Sequence, residues 1–344
     1  MLNNPTKLLF FFTLTSGTLI SISANSWFGA WIGLEINLLS FIPLMTNSSN
    51  LMSTEASLKY FLTQALASAT LLFTVIFSAL IFSVPNTLLI SNMFLNTLIS
   101  SSLLLKMGAA PFHFWFPGVM EGLNWINGLM LMTWQKIAPL MLLSYNFTLN
   151  TFTSFVIVSS VVVGSLGGLN QTSLRKILAY SSINHLGWLT AALMIGENLW
   201  NLYFLIYTFL TTTIIFMLQS FKLSHLNQTF SLNNTPPIIK FSLFVSFLSL
   251  GGLPPFIGFL PKWVIIQSLT EAGLKIIVVA MVVMTLITLF YYLRVGFSAF
   301  MLSYSENIWT CLNTQNSWQF SASLILATLS TMGLTICSLV FHIL

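Results

Sequence analysis

Glu35 lies about midway along the apolar run Trp27-Phe-Gly-Ala-Trp-Ile-Gly-Leu-Glu-Ile-Asn-Leu-Leu-Ser, with no loop near enough for its short side chain to reach. Lys106, Lys136 and Lys262 stand in three further apolar runs, each too deep for an ordinary interfacial lysine. A lone carboxylate at the centre of a bilayer costs roughly 2.5 to 3.5 kcal/mol, so Glu35 must face a basic partner or water. Desolvation disfavours the charged form of a buried lysine and a neighbouring carboxylate restores it, so such a row can exchange protons near neutral pH. Two unit charges about 6 to 7 Å apart, at an effective dielectric of about 20, interact by roughly 2.5 kcal/mol. Moving one charge against 100 mV costs about 2.3 kcal/mol. A single pair only matches the field, so three or four coupled sites make the better machine.

His185, in Ser181-Ser-Ile-Asn-His-Leu-Gly, has hydroxyls and an amide beside it, which suits a proton relay and equally a satisfied core histidine. His113 could cap freed carbonyls or pass protons. Lys59 stands near the start of its apolar run, where it could join the row or reach the headgroups. The acidic residues are all Glu, and no second His or Asp stands near either histidine, so a metal site has no support. Cys311 and Cys337 form no Cys-x-x-Cys or Cys/His cluster, which excludes a cysteine-ligated iron-sulfur cluster within this chain. There is no Gly-x-Gly-x-x-Gly or Walker sequence, so nicotinamide, flavin or nucleotide must bind elsewhere.

The elements that position these groups are membrane helices. With 56% hydrophobic and 5% charged residues and a mean hydropathy of +0.90, the chain cannot present the charged surface of a soluble domain. Its formal charge of +5 comes from scattered lysines, not a basic stripe with interleaved aromatics, so nucleic acid is not indicated. Apolar runs predict an all-α polytopic protein of about eleven spans, near 5–24, 26–46, 54–82, 90–117, 121–145, 151–169, 173–195, 198–221, 238–272, 275–301 and 319–343. The first is read as retained, not a cleaved signal. Gly164 and Gly168 in the sixth span are expected to make a close helix contact.

One unusual segment is written twice. Gly108-Ala-Ala-Pro-Phe-His-Phe-Trp-Phe-Pro117 aligns without gaps on Gly252-Leu-Pro-Pro-Phe-Ile-Gly-Phe-Leu-Pro261, with Lys106 before the first copy and Lys262 after the second. Each copy breaks a span, the fourth and the ninth. Tyr60-Phe-Leu has a counterpart in Tyr203-Phe-Leu, which extends the repeat to two five-helix units, 1–147 and 148–301, with a final helix at 319–344. Consecutive copies of an odd-numbered unit enter the membrane from opposite sides, so inverted repeats are expected, their breaks meeting near the midplane. Alternating the loops gathers Lys7, Arg175, Lys176, Lys222 and Lys240 on one side, which should be the inside.

Trp31-Ile-Gly-Leu-Glu-Ile-Asn, Glu55-Ala-Ser-Leu-Lys-Tyr-Phe, Lys106-Met-Gly-Ala-Ala-Pro-Phe-His-Phe-Trp, Trp134-Gln-Lys-Ile-Ala-Pro and Gly167-Gly-Leu-Asn-Gln-Thr-Ser-Leu-Arg-Lys together resemble the chain 2 subunits of animal mitochondrial NADH:ubiquinone oxidoreductase, respiratory complex I. Ser182-Ile-Asn-His-Leu-Gly and Gly251-Gly-Leu-Pro-Pro-Phe extend the likeness, which thins after about residue 300. The resemblance implies an antiporter-like, proton-translocating core subunit of the mitochondrial inner membrane; with the basic side inside and an odd number of spans, the amino terminus is then expected in the matrix and the carboxyl terminus in the intermembrane space. It implies a Glu–Lys pair (Glu35, Lys106), a central lysine (Lys136) and a distal lysine (Lys262). NADH, flavin, iron-sulfur clusters and ubiquinone are then expected on other subunits, and the partners are other membrane-arm subunits, including a neighbouring antiporter-like chain, accessory subunits and phospholipids. A free-standing cation/proton antiporter, or a scaffold whose charges only lock helices together, are the competing readings.

Overall fold

The computed structural model describes residues 5–47, 50–82, 88–229 and 237–300, with 321, 324–331 and 333 near the carboxyl end. The two cysteines, the loop at 302–318 and most of the eleventh predicted span lie outside the described residues. Besides residues 321, 324–331 and 333, which are helical as well, thirteen α-helices lie between residues 5 and 300 of the described residues. They are α1 (Pro5–Ser23), α2 (Trp27–Met45), α3 (Leu51–Phe82), α4 (Leu88–Met107), α5 (Trp115–Gly122), α6 (Trp125–Met132) and α7 (Trp134–Asn146), then α8 (Thr151–Gly168), α9 (Leu174–Ile195), α10 (Glu197–Ser220), α11 (Pro237–Gly251), α12 (Phe259–Glu271) and α13 (Lys275–Phe300). Six of them, α1, α2, α3, α8, α10 and α13, are individually long and apolar enough to cross a membrane. Many hydroxyls in the helices are satisfied within their own helix, as a run in α4 shows. Ser100, Ser101 and Ser102 donate to the carbonyls of Thr97, Leu98 and Ile99.

The chain forms two compact units, Met1–Val156 and Ile157–Leu344. In the first, α1 and α2 run close together because each presents a glycine at the crossing. A Cβ on Gly33 would stand 2.5 Å from the Ser21 nitrogen, and one on Gly17 2.9 Å from that of Asn37. Helix α3 packs against both α2 and α4, and α4 packs against α7. In the second unit, α9 packs against α10 and α12, and α13 against α11. The two glycines of the sixth span serve different neighbours. Gly164 abuts the Asn184 backbone of α9, whereas Gly168 abuts the Tyr291 ring of α13.

Both repeated segments interrupt helices, and both close the first half-helix in the same way. At α4 the Ala109 N–H donates to Leu104 and the Gly108 N–H to Leu105. At α11 the Leu253 N–H donates to Leu248 and the Gly252 N–H to Ser249. This paired closure needs a left-handed residue just past the helix, and Gly108 (φ 74°) and Gly252 (φ 80°) supply it. The gaps are shorter than the sequence suggests, because Pro117 and Pro261 fall in the first turns of α5 and α12. Proline is at home there, where a backbone N–H would have no helical partner.

The fifth predicted span is not continuous. It divides at Thr133 into α6 and α7. The Thr133 hydroxyl donates back to the Leu129 carbonyl at 2.7 Å, a contact that bends helices. Pro139 inside α7 also withholds the N–H that the Gln135 carbonyl would accept.

Candidate proton-transfer site

In the first unit the buried lysines converge. Lys106, in the last turn of α4, and Lys136, in the first turn of α7, line one small cavity with Asn37, Tyr60, Gln64 and Gln135. Its volume of about 20 Å³ is enough to hold one water molecule. Lys136 is 1% exposed, its Nζ 5.5 Å from the centre of the Phe116 ring, on whose face a cation is attracted by the ring quadrupole. Around the cavity Gln135 donates to the Asn37 Oδ1 (3.0 Å), and the Tyr60 hydroxyl lies 3.5 Å from the Gln135 Oε1. These neutral amides fix the stem of α7 one residue from Lys136.

The end of α4 is held from outside itself. Helix-end carbonyls lack intrahelical donors, and the paired closure reaches only those of Leu104 and Leu105. Gln64 donates to the Lys106 carbonyl at 3.0 Å, and the Trp115 indole to the Leu105 carbonyl at 3.2 Å. Glu35 is half-buried on α2 and does not line the cavity. Its carboxylate nonetheless acts electrostatically on Lys106. Among the described residues no ion pair within 4.0 Å joins the two, so Glu35 biases the lysine across a gap and does not lock it.

Lys59 stands apart from this cluster. Its ammonium and the Glu55 carboxylate form an i,i+4 ion pair of 2.6 Å, with the side chains 53% and 58% exposed. Tyr60, one residue on, faces inward because successive helical positions turn by about 100°. Lys59→Met should therefore leave proton flux per assembled complex within about a factor of two of wild type, since exposed i,i+4 pairs couple weakly. A loss as large as that from a buried lysine would put Lys59 on the proton route. His113 lies in the first break, buried, with its ring 4.2 Å from that of Phe114.

The second unit sets the other two candidates along one stretch of α9, His185 within it and Lys262 of α12 against it. The His185 Nδ1 is 2.7 Å from the Tyr203 hydroxyl of α10, and its ring packs 5.0 Å from that of Tyr207. One turn along α9, the Trp188 ring lies 6.0 Å from the Lys262 Nζ. Lys262, 6% exposed, donates to the Gly251 carbonyl at 2.8 Å, capping the half-helix that the second break interrupts. The repeated Tyr-Phe-Leu thus puts a buried phenol on a polar partner in each unit, Gln135 for Tyr60 and His185 for Tyr203. Asn37, Gln64, Gln135 and the two tyrosines are absent from a reading based on charge alone. Their signal was present as isolated polar residues within apolar runs.

Comparison with known proteins extends along the whole of this architecture. A family model described as NADH:quinone oxidoreductase/Mrp antiporter, TM, matches residues 24–288, and one described as NADH dehydrogenase subunit 2 C-terminus matches 289–341. NADH-ubiquinone oxidoreductase chain 2 of Anopheles gambiae is 56% identical over 336 residues, spanning 97% of this chain and 98% of its own length. That of Locusta migratoria is 48% identical over 345 residues, spanning 100% and 99%. Among solved structures, a chain of respiratory complex I from Thermus thermophilus with bound aureothin superposes with a TM-score of 0.85 at 26% identity, covering 97% of this chain and 79% of that one. A chain of the Mrp complex from Dietzia sp. shares the fold at 19% identity, with a TM-score of 0.80 over 96% of this chain and 73% of its own. The matched region contains both broken helices and every buried lysine described above, and the chain belongs to the NADH:quinone oxidoreductase/Mrp antiporter membrane family.

Proposed function

We propose that this chain is a proton-translocating core membrane subunit of respiratory complex I in the mitochondrial inner membrane. The observation that carries the reading is the water-sized cavity joining Lys106 and Lys136, with Glu35 acting on Lys106 from beyond it. A carboxylate that favours the charged lysine without a fixed ion pair can load Lys106 and still release it. A water held in that cavity would give the proton a step from Lys106 to Lys136. His185 and Lys262 are the later stations, the first hydrogen-bonded to a buried phenol and the second to a helix end. His113 is a subsidiary relay candidate at the first break.

Electron transfer belongs to other subunits, which hold NADH, flavin, iron-sulfur clusters and ubiquinone. The partners are the other membrane-arm subunits, among them a neighbouring antiporter-like chain, with accessory subunits and phospholipids on the remaining surface. In this reading the chain crosses the membrane eleven times as two inverted five-helix repeats and a final helix. Purification of the tagged chain from inner membranes tests the assignment. Recovery with an NADH-oxidising assembly is expected, and recovery free of it, with exchange of a metal cation for protons, would establish the free-standing antiporter instead.

The amino terminus is placed in the matrix and the carboxyl terminus in the intermembrane space. Three basic-flanked segments of the second unit support one positive side. The Leu174 N–H donates to Ser224, the Leu226 N–H to Thr172, and the Arg294 guanidinium to the carbonyls of Leu169 and Gln171. Arg175, Lys176, Lys222 and Arg294 thereby gather at one end of that unit, which the positive-inside rule sends to the matrix. In intact inner-membrane vesicles of known sidedness, a membrane-impermeant lysine reagent should reach Lys176 and Lys222 from the matrix face. Labelling from the intermembrane face would reverse the topology.

A further inference from the structure

Three helices among the described residues close with a left-handed glycine at nearly the same angle, Gly108 at 74°, Gly252 at 80° and Gly273 at 79°. The same pair of closing hydrogen bonds surrounds Gly252 and Gly273: the Gly252 N–H donates to Ser249 and the Leu253 N–H to Leu248, as the Gly273 N–H donates to Thr270 and the Leu274 N–H to Leu269. The backbone therefore asks for glycine equally at both. What differs is the space a side chain would enter. A Cβ on Gly273 would meet nothing within 4 Å. A Cβ on Gly252 would stand 3.0 Å from both the Cδ and the Nζ of Lys262, and 3.2 Å from its Cε. The lysine lies across the face of the glycine, and its Nζ reaches the carbonyl of the preceding residue, Gly251.

We infer that Gly252 is a positioning residue for Lys262. The missing side chain is the seat that lets the ammonium rest on the carbonyl end of α11. This rests on the reading of Lys262 as a proton station. Among the described residues no carboxylate lies within 4.0 Å of Lys262, so the helix end supplies the negative pole that Glu35 supplies for Lys106. Its negative pole is a fixed backbone dipole that is never itself protonated, so only the lysine's charge changes as a proton passes. A methyl group on Gly252 would force Lys262 to give by a few tenths of an ångström, shifting the ammonium on the Gly251 carbonyl, and since a misplacement of about 1 Å at a reacting group can cost on the order of a hundredfold, a shift of that size should lower flux measurably.

The test compares Gly252→Ala with Gly273→Ala in the assembled complex, reading NADH-driven proton flux per complex in sealed vesicles. Both variants carry the same backbone strain, but only the first displaces Lys262. Gly252→Ala is expected to lower flux severalfold, with Gly273→Ala near wild type. Equal flux in the two variants would overturn the inference. If Gly252→Ala does not assemble, it is combined with Lys262→Ala. Assembly restored in the double variant shows that the methyl acts through the lysine, and assembly still absent overturns the inference. Lys262→Met, measured alongside, separates the two failures. Full flux in that variant removes the proton-station reading and this inference together. Loss of flux in it, with Gly252→Ala no different from Gly273→Ala, removes this inference alone.

Discussion

Lys136→Met is expected to assemble into the complex in normal amount and to lower NADH-driven proton flux about tenfold or more, the loss that corresponds to about 1.4 kcal/mol of coupling between neighbouring stations. Lys136 is the most deeply buried of the three lysines, and methionine fills a similar volume with an unbranched, adaptable side chain. Removing a desolvated charge relieves a cost, so the packing around Phe116 and Pro139 should hold. What disappears is the cation beside the Phe116 ring, which in the proposed relay accepts a proton from Lys106. Flux and assembled amount are measured together. Normal assembly with wild-type flux would make Lys136 a structural charge.

Glu35→Gln is expected to act through Lys106 alone. The amide keeps the shape of the carboxylate but removes its field. A unit-charge pair about 6 Å apart at an effective dielectric of about 20 interacts by roughly 3 kcal/mol, enough to change the occupancy of the lysine by about a hundredfold. Because no ion pair within 4.0 Å holds the two together, the helices should stay in place when the charge is lost. Proton flux should fall by about tenfold or more in the single variant. In a Lys106→Met background the same substitution should add little, the non-additivity of two groups that work as one. Additive losses would mean that Glu35 serves some other group.

The helical, membrane-embedded character of the chain was legible from composition and apolar runs, and the two broken helices from the repeated Gly-x-x-Pro-Phe segment. Charge in apolar surroundings is a loud signal, so Glu35, Lys106, Lys136, His185 and Lys262 stood out. It could not tell where each would point. Lys59 and Tyr60 are neighbours in sequence, yet one reaches outward to Glu55 and the other inward to Gln135. The break at Thr133 was hidden because its cause, a hydroxyl bonded back to Leu129 with a proline downstream, leaves the apolar pattern intact. The partner of Lys262 was illegible for another reason. It is a backbone carbonyl, which no side-chain pattern records, beside a glycine whose missing side chain leaves room for the lysine.

The central claim is that protons cross this chain through its buried lysines, and Lys106→Met tests it most directly. The purified assembly is sealed into vesicles, driven by NADH and ubiquinone, and compared with wild type at equal assembled amount. The account predicts intact assembly with proton flux reduced by about an order of magnitude or more, since the first lysine of the row no longer binds a proton. Flux and proton-to-electron ratio equal to wild type, in a complex assembled to the same level, would contradict it and leave the buried charges as a scaffold.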